Sequence, residues 1–241
     1  MKIRRGTVIA IIAAAVILAS GAMFLIFRGG GSGTYQIDGQ VTWSEIAKSM
    51  PSGRFVKHAP GDPPPAGDPA TYCYVGRSEA GGKPCLYIAF VCSDPQIDRI
   101  IADVRHNLPY TDNRLMNDDS VEIFLDPEND RDSYYQMLVN TRGCYSAATW
   151  PSKRDYVQGI SKPWNPKPIV KTLVNKTGWS CELLIPFESM GGAPAKGSSW
   201  AVNFCRNFRG QKPEGQRQSW FDVYGNEANY HNIKDFGIIA W

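Results

Sequence analysis

Five polar side chains interrupt runs that are otherwise apolar: Glu122, Gln136, Asn203, Arg206 and Asn207. A polar group buried without a partner costs free energy. Several on adjoining strands therefore imply either a wet concave face that meets a ligand or a mutual hydrogen-bond network. A carboxylate, side-chain amides and a planar guanidinium suit neighbouring hydroxyls or a carboxylate. An aromatic ring would supply the matching apolar platform. Trp220 is one candidate, because it follows the polar stretch 211–219 at a loop-to-strand junction; its alternative is a covering role over the core. Trp150 and Trp164 stand in the long segment 149–168 and are further aromatic candidates. Trp179 and Trp200 lie inside strand-like runs and read as core, and Trp43 is expected to pack at the start of the domain.

Other chemistry competes with this reading. Asp126, Glu128, Asp130 and Asp132 alternate along one segment. Hard oxygens at such spacing can wrap calcium; the competing reading is a solvated acidic turn between strands. Asp118 and Asp119 are ligands elsewhere or strand-entry caps. Glycosidic hydrolysis by paired carboxylates would fall to Glu122 with Glu182. No nucleophile elbow, His-Glu-x-x-His pair or phosphate loop is present. Haem ligation would need His or Met, and His58, His106 and His231 show no telling local pattern.

The elements that must position these residues read as strands. Cys85–Cys92 is an apolar run of strand length, apolar on both faces as a sandwich core strand would be. Ser120–Leu125 alternates, with Val121, Ile123 and Leu125 on one face and Ser120, Glu122 and Phe124 on the other. Further strands are expected at Thr71–Val75, Tyr134–Asn140, Cys144–Ala148, Ile169–Val174, Trp179–Ile185, Trp200–Phe208 and Gly237–Trp241. Short helices are expected at Ile97–Val104 and Glu188–Met190. No βαβ spacing is visible, so the fold class is an all-β, antiparallel sandwich. A hairpin turning near Glu79-Ala80-Gly81 would bring Cys73 and Cys85 within bridging reach. The alternative is that the six cysteines are small buried apolar residues.

The N-terminal end has a separate character. Lys2, Arg4 and Arg5 precede an uncharged run of 21 residues, Thr7–Phe27, and a spanning helix needs about 20. Basic residues on the short leading side keep that end cytoplasmic. Residues 1–28 are therefore expected to be a membrane anchor, or a signal segment cleaved near Ala22 with the rest secreted. Residues 29–34 form a Gly/Ser linker, and 35–241 form the sandwich outside the cytoplasm. Four of the 26 basic residues precede residue 34, which leaves 22 against 23 acidic residues in the domain. No dense basic stripe marks a nucleic-acid surface.

Seven segments occur in a recognisable order over residues 38–241. They are Leu86–Phe90, Asn117–Pro127, Tyr134–Asn140 with Gly143, Gly178–Phe187, Trp200–Asn207, Ser219-Trp220 and the closing Phe236-Gly-Ile. Together they resemble the family-9 carbohydrate-binding modules and related DOMON-like sandwich domains. The resemblance implies a jelly-roll-like sandwich that binds a mono- or oligosaccharide without cleaving it, with structural calcium common among members. Any glycoside hydrolase that it assists in polysaccharide breakdown is expected to be a separate polypeptide. No cofactor is required. The resemblance places Trp220, Glu122, Gln136, Asn203 and Arg206 together, with Asn207 beside them. Members hold the sugar between two tryptophans; Leu115-Met116 stand where the second is expected. One wall should then be aliphatic or open, and affinity weak, on the order of 0.1–1 mM. The alternatives are an envelope interaction domain that has kept the fold and lost sugar binding, and the hydrolase using Glu122 and Glu182.

Overall fold

The computed structural model describes residues 26–28, 35–54, 57–58, 70–210, 216–220 and 230–241. Most of the expected anchor (1–25), the linker residues 29–34 and the Pro60–Pro69 loop lie outside the described residues. No described helix is long and apolar enough to cross a membrane.

The chain runs through β1 (Ile26–Arg28), α1 (Trp43–Ile46), β2 (Met50–Arg54), β3 (Lys57–His58), β4 (Thr71–Ala80) and β5 (Lys83–Ser93). It continues with β6 (Ser120–Asp126), β7 (Tyr134–Asn140), β8 (Tyr145–Trp150), α2 (Lys153–Val157), β9 (Lys162–Pro163) and β10 (Ile169–Asn175). Then follow β11 (Gly178–Pro186), β12 (Ser199–Phe208), β13 (Gln216–Ser219) and β14 (Gly237–Ala240). The larger sheet has the order β1-β14-β12-β6-β7-β8-β9, with β13 beside β12 and β3 beside β13; the smaller is β10-β11-β5-β4-β2. The pairs are antiparallel except β1 with β14. That exception contains Ile26 and Phe27, so the described end of the long apolar run is extended.

Strand alternation builds one core between the sheets. Val121, Ile123 and Leu125 of β6, Met137 and Val139 of β7, and Val202 and Phe204 of β12 face Ile88 and Phe90 of β5 and Leu183 and Ile185 of β11. Each such side chain, fully buried, is worth about 1.5–3 kcal/mol of transfer free energy. The hairpin β4–β5 turns at Gly81-Gly82, with φ of 57° and 75°, the left-handed pair that a two-residue turn needs. Ala80 thus pairs with Lys83, Cys73 with Phe90, and Cys85 with Ser78. The expected Cys73–Cys85 bridge is thereby excluded: the turn lies later than assumed, and the two side chains face opposite sides of the sheet. All six cysteines are buried and unbridged.

One expected element differs, and so does one expected packing residue. Ile97–Val104 is helical only over Ile97–Arg99. Beyond it, Ile101 N–H donates to Asp119, and Asp103 and Val104 N–H donate to Asp118. Those amides meet carboxylates instead of carbonyls four residues back, so no helix propagates. Asp119 also accepts from Arg209 and Gly210 N–H. The acid pair at the entry to β6 therefore pins the crossing between the sheets. Trp43 does not pack at the start of the domain: it is 85% exposed.

Candidate functional site

The larger sheet has a second apolar surface on the side away from the core. The odd-even rule that sends Ile123 inward sends Glu122 and Phe124 outward. Beside them stand Tyr134, Gln136, Trp150, Asn203, Cys205 and Asn207, contributed by β7, β8 and β12. Tyr230, Ile233 and Phe236 close over this face, and Phe124, Tyr134 and Trp150 pack with them. Tyr110 and Tyr156 pack on the same cluster as partly buried members.

Glu122 sits at the centre. Its Oε1 accepts from Asn207 Nδ2 at 2.8 Å, and its Oε2 accepts from Gln136 Nε2 at 2.9 Å. Gln136 Oε1 in turn accepts from Tyr110 OH at 2.5 Å and from Trp150 Nε1 at 2.8 Å. Asn207 Nδ2 also donates to Ser120 Oγ. Burial pushes the Glu122 carboxyl above its ordinary value, opposed by these two amide bonds. A carboxylate offers about four lone-pair sites, so the pair of amides leaves acceptor capacity on both oxygens.

An aromatic rim adjoins this network. Trp150 meets Tyr110 edge-on at 5.7 Å and Tyr156 edge-on at 5.2 Å. Tyr156 stacks on His231 at 4.2 Å, and His231 Nδ1 lies 2.7 Å from Tyr134 OH. Desolvation brings the His231 imidazole down to about 3, so it is neutral here. α2 carries Tyr156 across the face, and Ser152 caps α2 by accepting from Asp155 N–H.

The structure divides the residues expected at one site. Glu122, Gln136, Asn203 and Asn207 share the outer face, with Asn203 bonded to Ser219. Arg206 points the other way, into the core. Its Nη2 pairs with Asp94 at 3.0 Å, its Nη1 donates to Ser93 O and Thr71 Oγ1, and its guanidinium lies 3.8 Å from the Phe208 ring centroid. Trp220 is also on the core side: its N–H bonds to Phe204 O, and its ring stacks on Phe204 at 5.6 Å. Pairing next to inward-facing Phe204 sends both rings to the same side. Trp220 therefore covers the core, behind the sheet that carries Glu122. Of the other aromatics, Trp164 belongs to the core cluster and donates to Ser189 O, whereas Trp150 joins the outer rim. Leu115 is fully buried among Val104, Leu108 and Leu138, and Leu138 stands opposite Glu122 on the outer face, so an aliphatic cluster borders this face where the second tryptophan was expected.

The remaining candidates are structural in their contacts. Glu182 lies on the outer face of the smaller sheet, on the far side of the sandwich from Glu122. It accepts from Tyr87 OH and from Asp38 and Gly39 N–H. Stacked sheets lie about 10 Å apart, and both side chains point outward from them; a hydrolytic pair needs about 5–9.5 Å. Glu122 and Glu182 therefore do not form one. Asp126 accepts from Asp130 and Arg131 N–H, Asp130 from Asp132 and Ser133 N–H, and Asp132 from Lys153 N–H. Among the described residues no group of three His, Cys, Asp or Glu side chains comes together as a metal-ligand set. Tyr110, Tyr134, Tyr156 and His231 were not singled out for this face from the sequence. The signal available was the spacing Trp150–Tyr156 in one long loop.

Comparison with known proteins agrees with this architecture. Residues 83–240 match a family model described as carbohydrate family 9 binding domain-like. A family-9 carbohydrate-binding module from Caldicellulosiruptor kristjanssonii in complex with cellotriose superposes with a TM-score of 0.60 at 17% identity, covering 87% of this chain and 91% of that one. A module of the same family and organism in complex with glucose gives 0.57 at 18% identity, with 87% and 92% covered. No curated protein matches the chain.

Proposed function

The chain belongs to the carbohydrate family 9 binding domain-like family, and on that premise we propose that the outer face of its larger sheet is a non-catalytic sugar-binding face. The observation that carries this reading is Glu122. It is a buried acid held by two side-chain amides, with an aromatic rim next to it. A pyranose presents hydroxyls on its edge and C–H groups on its faces. Gln136 and Asn207 exchange part of their bonding to Glu122 for sugar hydroxyls, and Glu122 accepts from them. Tyr110 and Tyr156, half-buried around Trp150, offer the apolar contact. The experiment is calorimetric titration with glucose and cellotriose. Tyr156→Ala should weaken binding about tenfold, the equivalent of roughly 1.4 kcal/mol, while circular dichroism confirms folding. Unchanged affinity in that variant removes Tyr156 from the platform.

The setting proposed for this face is outside the cytoplasm, tethered by the segment ahead of β1, where it would hold a separate glycoside hydrolase's substrate close. Release of full-length protein from membranes by alkaline carbonate would overturn the tether. A second reading, a sandwich that keeps the fold and binds no sugar, draws support from the closure of Glu122, Gln136 and Asn207 on one another. Absence of any saccharide response in the titration would favour it.

A further inference from the structure

A cleft lies at the β8 edge and touches the Glu122 network through Tyr110. On one side the chain at Asn107-Leu108 bonds to Tyr145 through Leu108 N–H and Asn107 Oδ1. On the other, β9 pairs with Ala148 and Thr149. Between these segments is a cavity of about 260 Å³, lined by Asn107, Tyr110, Tyr145, Ser161, Trp164, Asn165 and their neighbours. Aromatic rings, side-chain amides and a hydroxyl together are what a sugar ring needs.

The charge around this cleft is one-sided. Arg105, Lys162 and Lys167, all exposed, flank its lining residues in the chain. Asp112 is the acid next to the lining residue Thr111. Arg114 binds it at 2.6 Å and holds its carboxyl down to about 2. Across residues 153–176 there are six cations, Lys153, Arg154, Lys162, Lys167, Lys171 and Lys176, against Asp155 alone. None of them joins an ion pair among the described residues. The domain as a whole is close to neutral, so this excess is local. β9 edges the larger sheet and β10 the smaller, and five residues join them, so Lys162 and Lys167 lie along the segment that links the two sheet edges.

We propose that this cleft is a second glycan-binding site, selective for a polysaccharide bearing uronic-acid carboxylates. The rings and amides of Tyr110, Tyr145, Asn107 and Asn165 take the sugar, and Lys162 and Lys167 take its carboxylates. Tyr110 belongs to both sites: it lines the cleft, and its hydroxyl bonds Gln136 on the outer face. The proposal goes beyond the neutral-sugar reading and stands without it.

The test is titration of full-length protein with trigalacturonate and, separately, with cellotriose, using wild type and the double variant Lys162→Glu/Lys167→Glu. Polyglutamate is the anionic control. The proposal expects trigalacturonate to bind wild type and to lose about tenfold or more in the lysine double variant. It expects cellotriose affinity to be the same in wild type and the lysine variant, and polyglutamate to compete poorly. Equal trigalacturonate affinity with and without the two lysines overturns it. So does equal competition by polyglutamate, which would mark a general cationic surface. If cellotriose fails to bind while trigalacturonate behaves as described, the outer-face reading falls and this one stands.

Discussion

Two glutamates occupy matching positions on opposite sides of the sandwich. Glu122 faces outward from the larger sheet and Glu182 from the smaller, and both are buried with carboxyls pushed up by desolvation. Their partners differ. Glu182 meets the backbone N–H groups of Asp38 and Gly39 and the Tyr87 hydroxyl, and so clamps residues 35–47 onto the sheet. Gly39 carries φ of +92°, and a Cβ there would come within 2.8 Å of the Thr172 carbonyl carbon, which keeps the clamped segment close. Among the described residues, Glu122 accepts from the side-chain amides of Gln136 and Asn207. A backbone amide has nowhere else to turn, whereas a side-chain amide can rotate toward a ligand. Buried acids therefore divide by the kind of donor they meet, and burial alone does not identify a binding site.

The largest effect is expected where a charge would be left alone in the core. Asp94→Ala strands Arg206, whose side chain is fully buried, and should cost about 3–5 kcal/mol, as removal of one partner of a buried pair does. Urea denaturation measures it; a loss under about 1 kcal/mol would show that solvent reaches Arg206. Glu182→Ala comes next. It leaves two backbone donors and a tyrosine hydroxyl without their acceptor, at roughly 2–3 kcal/mol, with amide exchange quickening first over residues 35–47. Uniform exchange across the molecule would break the comparison, since Glu182 would then not be a local clamp.

His231 sharpens the other half. Its folded-state value, about 3, lies below the ordinary 6.5. The stability that it contributes is therefore complete above about pH 6.5 and is lost as pH falls toward about 3. Between pH 7 and 4.5 the loss is on the order of 2 kcal/mol. His231→Phe should flatten that part of the stability profile; an unchanged profile assigns the pH dependence elsewhere. The smallest stability effect belongs to Glu122→Gln. Its raised carboxyl favours the protonated form in the fold, a contribution present at low pH and lost as pH rises. The substitution relieves the buried charge but sets an amide donor against Gln136 Nε2 or Asn207 Nδ2, and the two effects together should cost about 1 kcal/mol at neutral pH.

Much of the sandwich was legible because alternation is a local signal. β6, β7, β11 and β12 lie within a residue or two of where their patterns place them, and Glu122 stood out as an acid in an apolar strand. Three things were not local. The side taken by Trp220 depends on the β12–β13 register, in which Cys205 pairs with Ser219. The rim joins Tyr110, Tyr134, Trp150, Tyr156 and His231 across long stretches of chain, which no spacing rule connects. The Cys73–Cys85 pairing depended on a turn position, and displacing that turn onto Gly81-Gly82 moved Cys73 opposite Phe90. Arg206 looked equivalent to Asn207 in composition, yet adjacent strand residues face opposite sides, and that step separates a core ion pair from the outer network.

The central claim is that Glu122, and not its counterpart Glu182, serves a ligand. Calorimetric titration of cellotriose into wild type, Glu122→Gln and Glu182→Gln, each confirmed folded at the working temperature, tests it most directly. The account predicts weak binding by wild type, the same affinity in Glu182→Gln, and a loss of about tenfold or more in Glu122→Gln. Wild-type affinity in Glu122→Gln, or an equal loss in both variants, would contradict it.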